Sequence, residues 1–164
     1  MNREQLPRAA PPSAAAVQSR IAYSVGRLER AVRRRLATVT RRFGLTVAQY
    51  TALSVLRARE NLSNAQLARR SFVSPQAMNE IVQAMAEKQI VARRPHARHG
   101  RIVEIGLTAK GETVLGRCDA EVERVENAML ERLSQAERAQ FREFLRMCVE
   151  ELEGHRQPTR RRGA

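Results

Sequence analysis

The side chains of this chain are suited to holding a polyanion rather than to catalysing a reaction. Of its 30 cationic residues all but Lys88 and Lys110 are arginines, the formal net charge is +13, and Asp119 is the only aspartate among 164 residues. One aspartate leaves few routes to an Asp-based metal or phosphoryl-transfer site, and the sequence has no Gly-rich phosphate loop, HExxH motif or nucleophile motif. We therefore expect a protein that is not an enzyme and needs no cofactor. Nucleic acid is the first candidate partner and an anionic membrane the second.

A group of small polar side chains accompanies a Ser-Pro pair at residues 74 and 75. Asn and Gln can bond adenine bidentately, and Glu can accept from the N4 amino group of cytosine. We predict that Gln76 and Asn79 read bases, whereas an ordinary solvated helix face is the alternative. The candidate contacts of this group are Ser63, Ser74, Gln76, Asn79, Glu80 and Gln83.

Arginines crowd the segment that follows, at positions 93, 94, 98 and 101. Arginine is attracted by the negative potential of a narrow minor groove. We expect Arg98 and Arg101 to enter that groove, and Arg93 and Arg94 to meet phosphates. Alternatively, the charges only keep a soluble hairpin from pairing at its edge.

Two other constellations suggest less chemistry. His96 and His99 are three residues apart on a loop tip without a nearby Cys or Asp, and we expect no metal site. Cys118 and Cys148 lie on the apolar stripes of two predicted helices, so we predict that both are buried packing residues. An oxidant sensor is the alternative.

Long amphipathic helices are predicted at both ends of the chain to position these groups. Apolar residues recur there every three or four positions, the period of a helix with one apolar face. The expected helices cover about 16–42, ended by Gly44 as a C-cap, about 108–133 after Thr108, and the segment from Ser134 to about 152.

The middle of the chain predicts a winged helix-turn-helix. Thr46, Ser63 and Ser74 are expected N-caps of three shorter helices, and the last opens on Ser-Pro in the preferred order. Alternating apolar runs at about 90–94 and 102–107 predict a β-hairpin. We therefore expect a mainly α fold with a small β-hairpin wing, in which a winged helix-turn-helix lobe adjoins a helical dimerisation region.

The order of these parts resembles the MarR family of bacterial transcriptional regulators over about 20–153. The matching motifs are Leu45-Thr46-x-x-Gln49-Tyr50-x-x-Leu53, Leu62-Ser63-x-x-x-Leu67-Ala68, Val73-Ser74-Pro75, Ile90-Val91-x-Arg93, Arg101, and Leu107-Thr108-x-Lys110-Gly111. The resemblance implies a homodimeric DNA-binding regulator whose first, fifth and sixth helices form the dimer interface. For many members it also implies a response to small phenolic or amphipathic ligands or to oxidants.

The chain departs from this family at three positions. His99 stands where family wings commonly carry an Asp that braces the wing arginine. Glu80 stands where many members have Arg, so the operator preference is expected to differ. Gln89 replaces a common Gly at the end of the recognition helix. Because a left-handed non-Gly residue costs on the order of 1 kcal/mol, we expect a different cap there.

Tyr23, Arg27 and Tyr50 are the candidate lining of an effector pocket between the dimer helices and the DNA-binding lobe. The Arg27 guanidinium is suited to pair with a ligand carboxylate. Ordinary packing, with Arg27 in solvent, is the alternative.

We expect the chain to be organised as one domain with basic or irregular ends. The expected segments are a disordered N-terminus at 1–15, a MarR-like domain at 16–153 with its DNA-binding lobe at about 45–108 and dimerisation helices at about 16–43 and 109–153, and a basic disordered tail at 154–164. No apolar stretch approaches the roughly 18 residues of a membrane span, and prolines interrupt the N-terminus where a signal peptide would be apolar. A cytoplasmic location is expected.

The leading functional hypothesis is a homodimeric repressor on double-stranded DNA. It would bind a pseudo-palindromic operator and be released by a small aromatic or amphipathic effector. The alternative is a nonspecific nucleic-acid-binding or nucleoid-associated protein, which the net charge of +13 and the Arg160-Arg161-Arg162 run favour. The affinity ratio between operator and random duplex distinguishes the two.

Overall fold

The computed structural model describes Gln18, residues 20–95 and residues 103–154. The elements of this part of the chain are α1 (Ile21–Arg41), α2 (Val47–Ala58), β1 (Leu62–Ser63), α3 (Asn64–Arg70), α4 (Pro75–Glu87), β2 (Val91–Pro95), β3 (Val103–Leu107), α5 (Ala109–Met129) and α6 (Gln135–Gly154). The described residues form two compact units, divided between Val122 and Glu123. The expected mainly helical fold with a small β wing is confirmed.

Helix α1 begins later than expected, and the turn that follows its last residue, Arg41, closes at the expected glycine. The prediction of an unbroken helix from about residue 16 is wrong at Arg20, whose backbone is extended. Most helical stability in proteins comes from tertiary packing, and the neighbouring Ile21 is 81% exposed, so no buried contact continues the helix there. At the other end Gly44 adopts a φ of 70° and donates its N–H to the Arg41 carbonyl at 3.0 Å.

The three expected N-caps of the middle helices are confirmed. Thr46 and Gln49 bond each other's backbone N–H groups through their side chains, both at 3.1 Å. Ser63 and Gln66 form the same capping box at 2.9 and 3.3 Å. Ser74 caps α4 through its hydroxyl, with proline at the first helical position. These bonds satisfy N–H groups that a helix start otherwise leaves unpaired.

A three-stranded antiparallel sheet has the order β1-β3-β2. Strands β2 and β3 pair from Val91 opposite Leu107 to Pro95 opposite Val103, which confirms the predicted hairpin. Strand β1 adds Leu62 opposite Ile105 and was not predicted. It is two residues long, too short for any alternation to appear in the sequence.

Aliphatic side chains fill the core of the first unit, as the scarcity of aromatic residues requires. The largest core side chains, each less than 2% exposed, come from α2, α3, α4 and α5: Leu53, Leu56, Leu67, Met78, Met85 and Leu115. Burying one such side chain stabilises the fold by roughly 1.5–3 kcal/mol. Because Met78 and Met85 belong to α4, the core fixes which face of that helix points to solvent.

The prediction that Gln89 would avoid a left-handed cap is wrong. Gln89 adopts the left-handed conformation, with a φ of 60°, and its N–H bonds the Ala86 carbonyl at 2.8 Å. Tertiary contacts hold it there, since Thr108 Oγ1 donates to the Gln89 carbonyl at 2.8 Å. Gly111 lies so close that a Cβ atom on it would be 2.0 Å from the Ile90 carbonyl oxygen.

Large apolar side chains of α1 and α6 are exposed. On α1, Ile21 and Val25 are 81% and 53% exposed. Helix α6 has no buried residue. Its large apolar side chains, 42–79% exposed, are Phe144, Leu145, Met147, Val149 and Leu152. Among the described helices, none is long and apolar enough to cross a membrane.

Candidate nucleic-acid interface

Helix α4 has one apolar and one polar face. Met78, Val82 and Met85 are buried against the first unit's core. The exposed residues of the opposite side are Gln76, Asn79, Glu80, Gln83 and Glu87. All four residues predicted on α4 therefore lie at the surface, where a nucleic acid can reach them.

Side-chain bonds hold the start of α4 against α3. Asn64 Nδ2, in the first turn of α3, donates to the Pro75 carbonyl at 2.9 Å. Ser63 and Ser74 each use the hydroxyl oxygen to accept a cap N–H. A serine that accepts through its oxygen keeps its proton for another acceptor. Both hydroxyls therefore remain able to donate to a phosphate.

A groove separates the polar face of α4 from strand β2. It is lined by Asn79, Glu80, Gln83, Ala84, Glu87 and Arg93. Within it, Gln83 Nε2 donates to Glu87 Oε1 at 3.0 Å. The structure thus brings the predicted base reader Asn79 and the candidate contacts Glu80 and Gln83 together with the predicted phosphate contact Arg93.

The wing is described up to Pro95 and again from Val103. Arg93 and Arg94 are exposed on β2. Because neighbouring strand residues point to opposite faces of a sheet, only Arg93 is directed into the groove beside α4. The predicted contacts Arg98 and Arg101, and the pair His96 and His99, lie outside the described residues. Among the residues that are described, no cluster of three His, Cys, Asp or Glu side chains could hold a metal ion.

The three candidate effector residues are not gathered by the contacts that the structure describes. Tyr23 and Arg27 are exposed, one helical turn apart on α1. The Tyr50 hydroxyl instead donates to Asp119 Oδ1 at 2.9 Å. An apolar groove beside α1 contains none of the three; its lining is Val25, Leu28, Glu29, Val32, Arg33, Leu36 and Val47.

A polar link between α2 and α5 was missed by the sequence reasoning. Asp119 accepts from Tyr50 and forms an ion pair with Arg57. Burial and the bond to Asp119 raise the pKa of Tyr50 to about 12. The hydroxyl therefore stays protonated and donating at neutral pH. The signal in the sequence that could have indicated this residue is that Asp119 is the only aspartate.

The two cysteines differ in environment. Cys118 is buried as predicted. Burial and the nearby carboxylates of Asp119 and Glu121 raise the pKa of its thiol to about 11. A thiol at neutral pH is a poor nucleophile, so Cys118 is ill suited to sensing oxidants. The prediction for Cys148 is wrong for the single chain, because Cys148 is exposed on α6, a helix without a buried residue.

Sequence comparisons connect this geometry to known regulators. A model of the MarR family matches residues 43–102, the segment from the start of α2 into the wing. The HTH-type transcriptional repressor Rv2887 of Mycobacterium tuberculosis is 30% identical over 125 residues, which cover 76% of this chain and 90% of the repressor.

Solved structures of similar proteins share the fold. Rv2887 in complex with DNA has a TM-score of 0.68 at 28% identity, covering 79% of this chain and 98% of that one. Rv2887 in complex with salicylic acid has a TM-score of 0.66 at 28% identity, covering 79% and 96%. The PcaV regulator of Streptomyces coelicolor, bound to its natural ligand, has a TM-score of 0.70 at 20% identity, covering 85% and 98%; this last likeness concerns the fold alone.

Proposed function

The chain belongs to the MarR family of transcriptional regulators, and on that premise we propose that it is a homodimeric repressor that acts in the cytoplasm on a pseudo-palindromic operator. Members of this family regulate transcription and are not enzymes. The observation that carries the proposal is the two-faced character of α4. Its apolar face is buried in the core, and its opposite face exposes amide and carboxylate side chains.

Contacts to DNA are divided between helix and wing in this proposal. Helix α4 enters the major groove, where each base pair presents a distinct edge, and Gln76 and Asn79 read bases there. The structure of Rv2887 with DNA supports a duplex as partner. The remaining proposed contacts are the phosphate-binding residues Ser63, Ser74, Arg93 and Arg94, and the minor-groove residues Arg98 and Arg101.

The exposed apolar stripes support the homodimer. A monomeric protein rarely exposes many large apolar side chains along one helix, and such surfaces mark interfaces. We assign dimerisation to the helices within about 16–43 and 109–153 and DNA binding to about 45–108. A two-fold dimer presents two copies of α4 one DNA turn apart, which is why the operator is expected to be pseudo-palindromic.

An aromatic carboxylate is the proposed effector class. The similar repressor Rv2887 has been crystallised with salicylic acid. In this chain Arg27 supplies a guanidinium that can hold a carboxylate with two parallel bonds, and Tyr23 and Tyr50 supply aromatic surface. Salicylate should release the operator from the wild-type protein. The Arg27→Ala variant should need roughly ten times more salicylate, by the loss of a charge-assisted contact.

The test of the proposed function is a comparison of two duplexes at one stated salt concentration. Fluorescence anisotropy should show binding to the operator, taken from upstream of the protein's own gene, roughly a thousandfold tighter or more than binding to a random duplex of equal length. Equal affinities would contradict sequence-specific repression.

A nonspecific nucleic-acid-binding protein is the second candidate. The net charge of +13 favours it, since phosphate neutralisation alone supplies most nonspecific binding. It predicts similar affinity for all duplexes and a steep loss of affinity as salt rises.

A further inference from the structure

The polar face of α4 has no positively charged side chain. The helix runs from Pro75 to Glu87 and carries none of the chain's 30 cationic residues. It does carry two carboxylates, Glu80 and Glu87, both exposed. Carboxylates on a helix are repelled by the DNA phosphates when the helix enters a groove. Specific hydrogen bonds must then offset the free energy of this repulsion.

The two carboxylates have different surroundings. Glu87 is engaged by the Gln83 amide at 3.0 Å, a bond that uses one of the two N–H groups of that amide. Glu80 forms no hydrogen bond or ion pair with any residue that the structure describes. It lines the same groove as Asn79 and Arg93, and Arg93 is the cation among the groove residues. Among the described residues that line the groove, Glu80 is therefore the carboxylate without a bonded partner.

The major-groove edges of the bases decide what such an acceptor can bind. Cytosine offers its N4 amino group as a donor, whereas guanine offers two acceptors and thymine an acceptor and a methyl group. Adenine offers one donor beside an acceptor, which suits an amide better than a carboxylate. A carboxylate thus gains a bond at cytosine and meets repulsion or an imperfect match at the other three bases.

We propose that Glu80 is a specificity-determining residue that accepts a hydrogen bond from the N4 amino group of a cytosine in each operator half-site. This inference rests on the proposed function, in that α4 must enter the major groove. The free carboxylate also acts against wrong sequences, because without a cytosine partner it is left facing the phosphates. Specificity at this position therefore comes from the repulsion of operators that lack the cytosine as well as from the hydrogen bond to cytosine.

The test is a change of base preference in the Glu80→Gln variant. Wild-type protein and variant each select from duplexes randomised over about 20 base pairs, the span of two half-sites. The wild type should enrich a cytosine in each half-site and bind it roughly 5- to 150-fold better than the other three bases. Glu80→Gln should enrich adenine at that position, since Gln pairs adenine bidentately, and Glu80→Ala should show no preference there.

A matched control separates base reading from net charge. Glu60 is exposed and lies outside α4, so Glu60→Gln removes the same charge and should keep the wild-type cytosine. If Glu80→Gln selects the wild-type base at every position, or if Glu60→Gln shifts the preference equally, Glu80 does not read cytosine although the protein still reads an operator. If the wild type enriches no motif, the proposed function itself fails. Circular dichroism of each variant verifies that the fold is unchanged.

Discussion

Phe72 combines a strained backbone with an exposed side chain. Its φ is 58°, in the left-handed region, and its side chain is 83% exposed. It ends α3 at the position where helices usually carry glycine, and the Val73 N–H bonds the Ala68 carbonyl at 3.1 Å across it. A bulky residue in this conformation costs about 1–2 kcal/mol, while its ring gains little from burial.

Replacing Phe72 by glycine should therefore stabilise the protein. The gain from relieved strain exceeds the added flexibility of the unfolded chain, and we expect an increase of about 0.5–1 kcal/mol in the free energy of unfolding. Urea denaturation measures it. Phe72→Ala is the control, because it removes the ring but keeps the strain, and it should be nearly neutral. A destabilised Phe72→Gly variant would show that the ring makes contacts that offset its strain.

Cys118 should be inert in the folded protein. Its thiol is buried and its pKa is raised to about 11, so neither access nor thiolate is available. In the Cys148→Ala variant, Cys118 is the sole thiol, and Ellman's reagent should modify it only after unfolding. Operator binding by that variant should also be unaffected by peroxide. Rapid labelling of the native variant, or peroxide-induced release, would support the oxidant-sensor hypothesis instead.

At the scale of elements, the sequence predicted the features that depend on bonds between residues close together in the chain. Thr46, Ser63 and Ser74 were expected as caps because a hydroxyl satisfies the helix start within four residues, and the hairpin followed from its alternation. The family and the fold class could likewise be predicted. Strand β1 could not be, because its pairing with Ile105 joins residues far apart in sequence. The left-handed Gln89 also depends on distant residues, since Thr108 and α5 hold it.

The α4–α5 junction provides a test of that tertiary control. In Gly111→Ala the new Cβ would lie 2.0 Å from the Ile90 carbonyl oxygen, a backbone atom of the residue directly before strand β2. We expect a loss of about 3 kcal/mol in the free energy of unfolding, as for severe overpacking.

Gly116→Ala on the same helix is the matched control. No atom lies within 4 Å of its built Cβ, so alanine should stabilise the exposed helix by about 0.5–1 kcal/mol. Thermal unfolding of both variants measures the contrast. Two variants of equal stability would mean that α5 does not approach Ile90 as closely as the structure shows.

At the scale of the whole molecule, the exposed apolar stripe of α6 predicts a dimer that buries more than roughly 2,000 Å². Leu145, 42% exposed in the single chain, lies on this stripe. Leu145→Glu should weaken dimerisation by about 2 kcal/mol or more per subunit, because a charge replaces an apolar side chain that the dimer interface would bury. Gln140→Glu, which adds the same charge to an exposed polar position of α6, should have little effect. Sedimentation velocity at micromolar concentration measures both, and a monomeric wild type would contradict the dimer.

The central claim, that α4 reads bases, is tested most directly by the affinity of Asn79→Ala for operator and for random duplex at one salt concentration. Loss of a base contact should cost about 1–3 kcal/mol on the operator and leave random duplex nearly unchanged. Arg101→Ala is the comparison, because loss of a wing charge should weaken both duplexes and reduce the salt slope by about one phosphate equivalent. If Asn79→Ala weakens operator and random duplex equally, α4 does not read bases, and nonspecific binding becomes the better account.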